Sequence, residues 1–265
     1  MANGKSILLG FDFPIGVPKA YAELAGIHKF TGALERFGHG AWNDFYNVAH
    51  SRREITLHRP FYPHSPGGTN HRHLTAALGV DSVKELLREC ERATEHRAAA
   101  SPLFWTLGGK QVGRAAIIGW RDVLAPAKRD RNVDIAFWPF DGDLFSLLTE
   151  HRITVAETYP SQACVNLGIP APGRGWSKRQ QGDRAMHAVC LLSWARTRQV
   201  KLRENLAASI ADGFGSDAKG EDQFDSVVGL FGMLDVVLGH CPPGAPNRQE
   251  ITSVEGWILG QEDRN

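Results

Sequence analysis

The sequence predicts an α/β fold, a parallel-stranded sheet flanked by helices, on three observations. Short apolar runs rich in strand formers recur at Ser6–Gly10, Val133–Trp138 and Ile153–Ala156, each closed by turn residues or a proline. Segments with helical spacing separate them, and strands joined through helices pair in parallel by right-handed crossovers. The first and third runs also end alike, in a carboxylate and then a proline: Asp12 before Pro14, Glu157 before Pro160. Parallel pairing carries Asp12 and Glu157 to one edge of the sheet, the edge where open α/β sheets bind ligands.

A chain of 265 residues is long enough for one large domain or two small ones. With no repeat and no evident linker, the simplest account is a single domain over residues 1–265 with an insertion at about residues 27–130. Formal net charge is +1, so no bulk field draws the molecule to nucleic acid or to an anionic membrane, and a polyanion site must be a local patch. No apolar run approaches the roughly 20 residues that cross a bilayer, and the amino terminus lacks a signal pattern. Cys90, Cys164, Cys190 and Cys241 are scattered without a C-x-x-C pair. They read as reduced, mostly buried thiols of a cytoplasmic protein, and no structural zinc is expected.

In chain order, Ser6–Gly10 reads as a buried central strand. Asp12 falls where that strand must stop, because Pro14 and Pro18 cannot continue a ladder. A carboxylate there either caps a turn or the following helix, or binds a metal or serves catalysis, since a buried unpaired carboxylate is costly. Lys19–Gly26 and Phe30–Phe37 read as short helices, and Trp42, Phe45, Tyr46 and Val48 share a helical spacing typical of core. From Ser51 to Arg72 the chain mixes Arg52, Arg53, Arg59 and several histidines with Phe61, Tyr62, prolines and Gly67-Gly68. Its breakers make it a loop. His71 and His73 diverge on either a strand or a helix, so they are not spaced as a metal pair. A phosphate-contacting loop that uses Arg59, or a solvated insertion, are the two readings.

Asp81–Thr94 has the pattern of an amphipathic helix, with Asp81 or Ser82 as N-cap and Val83, Leu86, Leu87 and Cys90 on one face. Phe104 to Gly113 contains Gly108-Gly109-Lys110, but Phe104 and Gln111 break the nucleotide P-loop pattern. Gly108-Gly109 before a helix from Gln111 to Leu124 is then either an anion-binding helix start or a plain turn. Leu144, Leu147 and Leu148 mark a short helix, Gly173–Arg184 a second basic loop with Arg174, Lys178, Arg179 and Arg184, and Ala185–Trp194 and Leu202–Ile210 two further helices. The last long helix, Glu221–Leu238, carries Asp222 and Asp225 on one face of its first turns. Glu255 to Gly260 closes the chain as an extended or turn segment.

Three signatures stand in order: Phe-Asp-Phe-Pro-Ile-Gly-Val-Pro around Asp12, Glu-Thr-Tyr-Pro from Glu157, and Glu-Asp-Gln-Phe-Asp-Ser-Val around Asp222 and Asp225. Together they resemble the ribonuclease H-like superfamily, and within it the predicted nucleases of domain of unknown function 429. The closing Glu-Gly-Trp-Ile fits the tail of that group. The resemblance implies a sheet edge whose acidic residues bind Mg²⁺ or Mn²⁺ for phosphodiester hydrolysis. It makes Asp12, Glu157, Asp222 and Asp225 the candidate catalytic residues and metal ligands. Two hard cations held by such a cluster activate water and steady the leaving oxygen.

The superfamily opens with a three-stranded antiparallel meander whose first strand bears the leading catalytic Asp. Only five residues precede the Ser6 strand here, so that meander is expected to be missing. The sequence reads as a ribonuclease H-like, metal-dependent nuclease or a degenerate relative of one. Nucleic acid or a nucleotide phosphate is the expected partner, with Arg59, Lys178 and Arg179 as substrate contacts. The alternative is a non-catalytic binding protein that keeps the acidic edge. A phosphotransfer enzyme of the actin-like ATPase branch ranks last, because Phe13-Pro14-Ile15-Gly16 is not a Gly-rich phosphate loop.

Overall fold

A computed structural model describes residues 5–95, 97–108, 112–173 and 175–263 of the chain. Gly109, Lys110 and Gln111 of the Gly-Gly-Lys segment, and Arg174 of the second basic loop, lie outside the described residues. The three expected strands form: β1 (Ile7–Phe11), β2 (Ile135–Phe137) and β3 (Ile153–Glu157). They make one parallel sheet in the order β1-β3-β2. Phe11 is paired with Glu157, so the first and third strands are neighbours that end together.

β1 is not the central strand. β3 is, with Val155 and Ala156 almost fully buried, whereas Ile7 is 42% and Leu9 38% exposed. An unbroken apolar run fits a central strand or an edge equally well, and only the pairing partners separate the two. The opposite edge changes strand partway: β2 leaves after Phe137, and Ile258 from the chain's tail takes its place beside Glu157, with Leu259 N–H donating to Glu157 O at 2.9 Å.

Alternation along the strands sends side chains to two different cores. Phe137 and Val155 join the largest cluster, built mainly by residues 15–125. Ala136 and Ala156 face a second cluster with Trp138, Leu144, Leu147, Trp257 and Ile258. A third cluster lies among the carboxyl-terminal helices around Trp176, Trp194, Phe224 and Phe231.

Around the sheet run α1 (Lys19–Leu24), α2 (Phe30–Arg36), α3 (His71–Leu78), α4 (Val112–Ile118), α5 (Ala125–Arg129) and α6 (Leu144–Glu150). They are followed by α7 (Pro160–Asn166), α8 (Gln181–Met186), α9 (Ala188–Thr197), α10 (Glu204–Ala211) and α11 (Lys219–Val237). A π-helical segment, Gly119–Leu124, joins α4 to α5, so the expected helix continues to Arg129. Asn70 caps α3 by accepting from Arg72 N–H, and Asp143 caps α6 by accepting from Ser146 N–H. The basic stretch from Ser51 therefore ends in helix at His71, and α8 begins inside the second basic loop.

Two expected helices do not form. The Trp42–Val48 stripe is a short 3₁₀ turn, Gly40–Trp42, followed by further turns, although Trp42, Phe45 and Tyr46 are core, with Phe45 stacked on Phe37 at 3.6 Å between ring centres. Asp81–Thr94 becomes two 3₁₀ turns, Val83–Leu86 and Glu89–Glu91, with Leu87 and Arg88 extended between them. Glu85 closes the first turn by accepting from the Ser82 N–H and hydroxyl. The reason for the break is Arg88: it is fully buried and reaches the end of β3. A continuous helix would turn it away from the apolar face it belongs to.

Candidate functional site

Beyond β1 the chain crosses the sheet end as Asp12-Phe13-Pro14-Ile15-Gly16-Val17 and is tied down at almost every residue. Trp120 Nε1–H donates to Pro14 O at 2.6 Å, Ile15 N–H to Glu157 Oε2 at 2.7 Å, and Val17 N–H to Val254 O at 2.8 Å. The Phe13 ring packs flat against Gly119, where a Cβ would lie 2.3 Å from it. Gly16 has φ +139°, and a Cβ there would sit 2.0 Å from Glu255 O. Gly16→Ala is therefore expected to cost roughly 2–4 kcal/mol through combined strain and overlap. Urea unfolding measures it, and a loss below about 0.5 kcal/mol would show that the segment can move aside.

The Asp12 segment and the end of β3 form the floor of a cleft of about 510 Å³. Asp12, Glu157, Asp222, Asp225, Lys178 and Arg179 all line it. A smaller neighbouring hollow of about 330 Å³ shares Asp12, Thr158, Asp222 and Asp225. α11 brings in Asp222 and Asp225, and the loop before α8 brings in Lys178 and Arg179. The close approach of α11 to β1 rests on Gly10, where a side chain would meet Met233 and Thr158.

Arg59 does not join this group. It pairs with Glu54 at 2.9 Å and donates to Asn47 O and Val48 O at 3.2 and 3.1 Å, which makes it a brace within its own loop. A short loop with unsatisfied carbonyls takes up a nearby guanidinium as readily as a phosphate does.

Glu157 lines the cleft, yet it is 5% exposed and engaged on both oxygens. Arg88 donates to Oε1 and Oε2 at 2.7 Å each, and Ile15 N–H adds a third bond. The same guanidinium binds Glu91 Oε1, Ile15 O and Glu255 O. Burial pushes the Glu157 carboxyl above its ordinary value, and Arg88 opposes that push. Glu157 is thus a latch that holds the Asp12 segment and the 82–92 segment to the sheet. Nothing local in the sequence marks Arg88 as a site residue. Its signal was a lone arginine among Val83, Leu86, Leu87 and Cys90, which an exposed helix face explains equally well.

Asp12 stands differently. It is open to solvent in the cleft, with protein around it on its other sides. Desolvation, then the Asp225 charge, raises its carboxyl from 3.8 to about 7, against the opposing pull of Lys178. Asp225 is itself raised by burial and held down by Lys178, whose ammonium it contacts through Oδ2. Its Oδ1 is buried and receives no hydrogen bond among the described residues. Burial pulls Lys178 down, but Asp225, Asp12 and Glu221 outweigh it and hold the ammonium above its ordinary value. Lys178 Nζ also lies 3.8 Å from Glu221 Oε1, and Arg179, largely exposed, reaches the other oxygen of Glu221 at 3.9 Å.

The four-carboxylate set implied for a divalent cation does not fit this arrangement. Glu157 has both oxygens engaged, and the ammonium of Lys178 lies against Asp225. Among the described residues no three His, Cys, Asp or Glu side chains stand together as a metal site. The arrangement instead offers a carboxylate with a near-neutral proton affinity beside a fixed ammonium in a concave site. No protein-family pattern, curated protein or solved structure matches the chain.

Proposed function

We propose that this protein hydrolyses phosphodiesters in the cleft at the carboxyl edge of its sheet, as a ribonuclease H-like nuclease. The observation that carries the reading is the cleft at the strand ends, which gathers Asp12, Asp225, Lys178 and Arg179, and the upward shift of Asp12 to about 7 supports it. A base is most effective when its proton affinity lies near the working pH. Asp12 takes the proton of an attacking water as the water oxygen bonds to phosphorus, and the leaving oxygen departs to be protonated by solvent. Lys178 and Arg179 face the non-bridging oxygens. No helix among the described residues is long and apolar enough to cross a membrane, and four free thiols suit a reducing cytoplasmic setting.

Incubating the full chain with mixed single- and double-stranded oligonucleotides tests the reading. Cleavage that disappears in Asp12→Asn supports it. The rival, a non-catalytic binding protein, draws support from the engagement of Glu157 by Arg88, and oligonucleotide binding with no cleavage by the parent would establish that rival. Phosphate contacts are separable too. Arg179→Gln is expected to weaken oligonucleotide binding and to lower its salt slope by about one phosphate, while Arg59→Gln leaves the slope unchanged. A reversed pattern in a salt titration would move the binding face to the Arg59 loop.

A further inference from the structure

We infer that Lys178 takes the place of a divalent cation in this cleft, so that the carboxylates meet a built-in ammonium and the site works without bound metal. Its catalytic half rests on the reading above, whereas its metal-binding half stands by itself.

The placement of Lys178 is the first support. Its Nζ contacts Asp225 Oδ2 and lies 3.8 Å from Glu221 Oε1, and its charge also acts on Asp12. The side chain is only 20% exposed, unlike an ordinary surface lysine, which leaves its ammonium in water. A positive charge at that point is shared by the two carboxylates it lies against, Asp225 and Glu221, and its field reaches Asp12, which is the charge compensation that a metal ion otherwise supplies.

The second support is independent and comes from behind the loop. Arg184, 1% exposed, donates to Lys178 O, and it fixes its own position by donating to Gly213 O at 2.7 Å and Gly215 O at 2.6 Å. Ser177 N–H donates to Asp183 Oδ2 at 2.7 Å, so the residue before Lys178 is anchored as well. Trp176 Nε1–H donates to Pro170 O and the ring packs edge-on against Phe224 of α11. A buried arginine binding three carbonyls specifies where the lysine starts, and a specified start limits where its ammonium can reach. Arg184 is therefore the positioning residue for Lys178.

Calorimetric and melting titrations with Mn²⁺ on the full chain test the inference, alongside Lys178→Met and Lys178→Arg. The parent and Lys178→Arg are expected to show no saturable Mn²⁺ heat and no Mn²⁺-dependent rise in Tm. Lys178→Met frees the carboxylates and is expected to bind Mn²⁺ saturably, at least roughly 100-fold below the concentration at which the parent still shows no binding, with Tm rising as Mn²⁺ is added. Circular dichroism shows whether the variant is folded, and Lys178→Gln supplies a second neutral side chain if it is not. Parent protein that binds Mn²⁺ as well as the neutral variants would overturn the inference. So would neutral variants that fail to bind Mn²⁺, because carboxylates stripped of their ammonium should accept it. Where the parent cleaves, full cleavage in EDTA supports the metal-free site, and loss of cleavage in EDTA defeats it. Absence of all cleavage removes the nuclease reading and leaves the Mn²⁺ comparison to decide.

Discussion

Replacing Arg88 by methionine is expected to lower stability by about 3–5 kcal/mol, a large share of the roughly 5–15 kcal/mol that keeps such a chain folded. Arg88 has no exposed surface and ties Glu157, Glu91, Ile15 O and Glu255 O to one guanidinium. Methionine fills much of the volume, so a cavity contributes little, and the loss comes from two carboxylates left buried without their counter-charge. That cause is separable. Adding Glu157→Gln to Arg88→Met removes one buried charge and is expected to recover part of the stability, a coupling that a double-mutant cycle reads directly. Urea unfolding of the parent, both single variants and the double variant provides the four values. An Arg88→Met variant within about 0.5 kcal/mol of the parent would mean that Glu157 does not depend on Arg88.

Asp12→Asn is expected to reduce cleavage by a factor of about 10²–10⁴, the usual contribution of a positioned base. The parent's rate should rise with pH as Asp12 loses its proton, with a half-maximum at about 7. A residual rate in Asp12→Asn should lack that limb. A large loss with an unchanged pH profile would show that Asp12 only positions other groups.

The same substitution has a stability signature of definite sign. The native value of Asp12, about 7, exceeds its ordinary 3.8, so the native state binds the proton more tightly than the unfolded chain does. The stability linked to that proton is fully present below the unfolded value and is lost as pH rises through about 7. Asn carries no such penalty. Asp12→Asn should therefore melt progressively higher than the parent as pH is raised from about 4 to about 8, with the difference smallest at the acid end. A difference that is flat over that range would place the Asp12 carboxyl near its ordinary value.

Strand identity, parallel pairing and the shared edge of Asp12 and Glu157 were legible in the sequence. Each depends on local information: a short apolar run, a proline that stops it and a helix before the next run. The convergence of Asp222 and Asp225 on that edge was legible only through the order of the three acidic signatures, and that of Lys178 and Arg179 only through the expectation that a basic loop flanks a phosphate site. Periodicity misled where a single buried charge overrode it. The 82–92 segment has a helical pattern, but it opens at Leu87 and Arg88 because a guanidinium in reach of Glu157 outweighs a few residues of helix propensity.

By itself, then, the sequence determined the strands, their sense and the acidic edge, because these follow from side-chain spacing and from backbone rules that act within a few residues. Only the tertiary structure decided what each carboxylate does there. Asp12 and Glu157 end neighbouring strands in the same way, yet one lies in an open cleft with its proton affinity near neutral and the other is sealed beneath Arg88. Which partners surround a carboxylate, and how much water, depends on residues distant along the chain, such as Ile15, 142 positions from Glu157. No local pattern carries that information, and the chemistry of the edge depends on it.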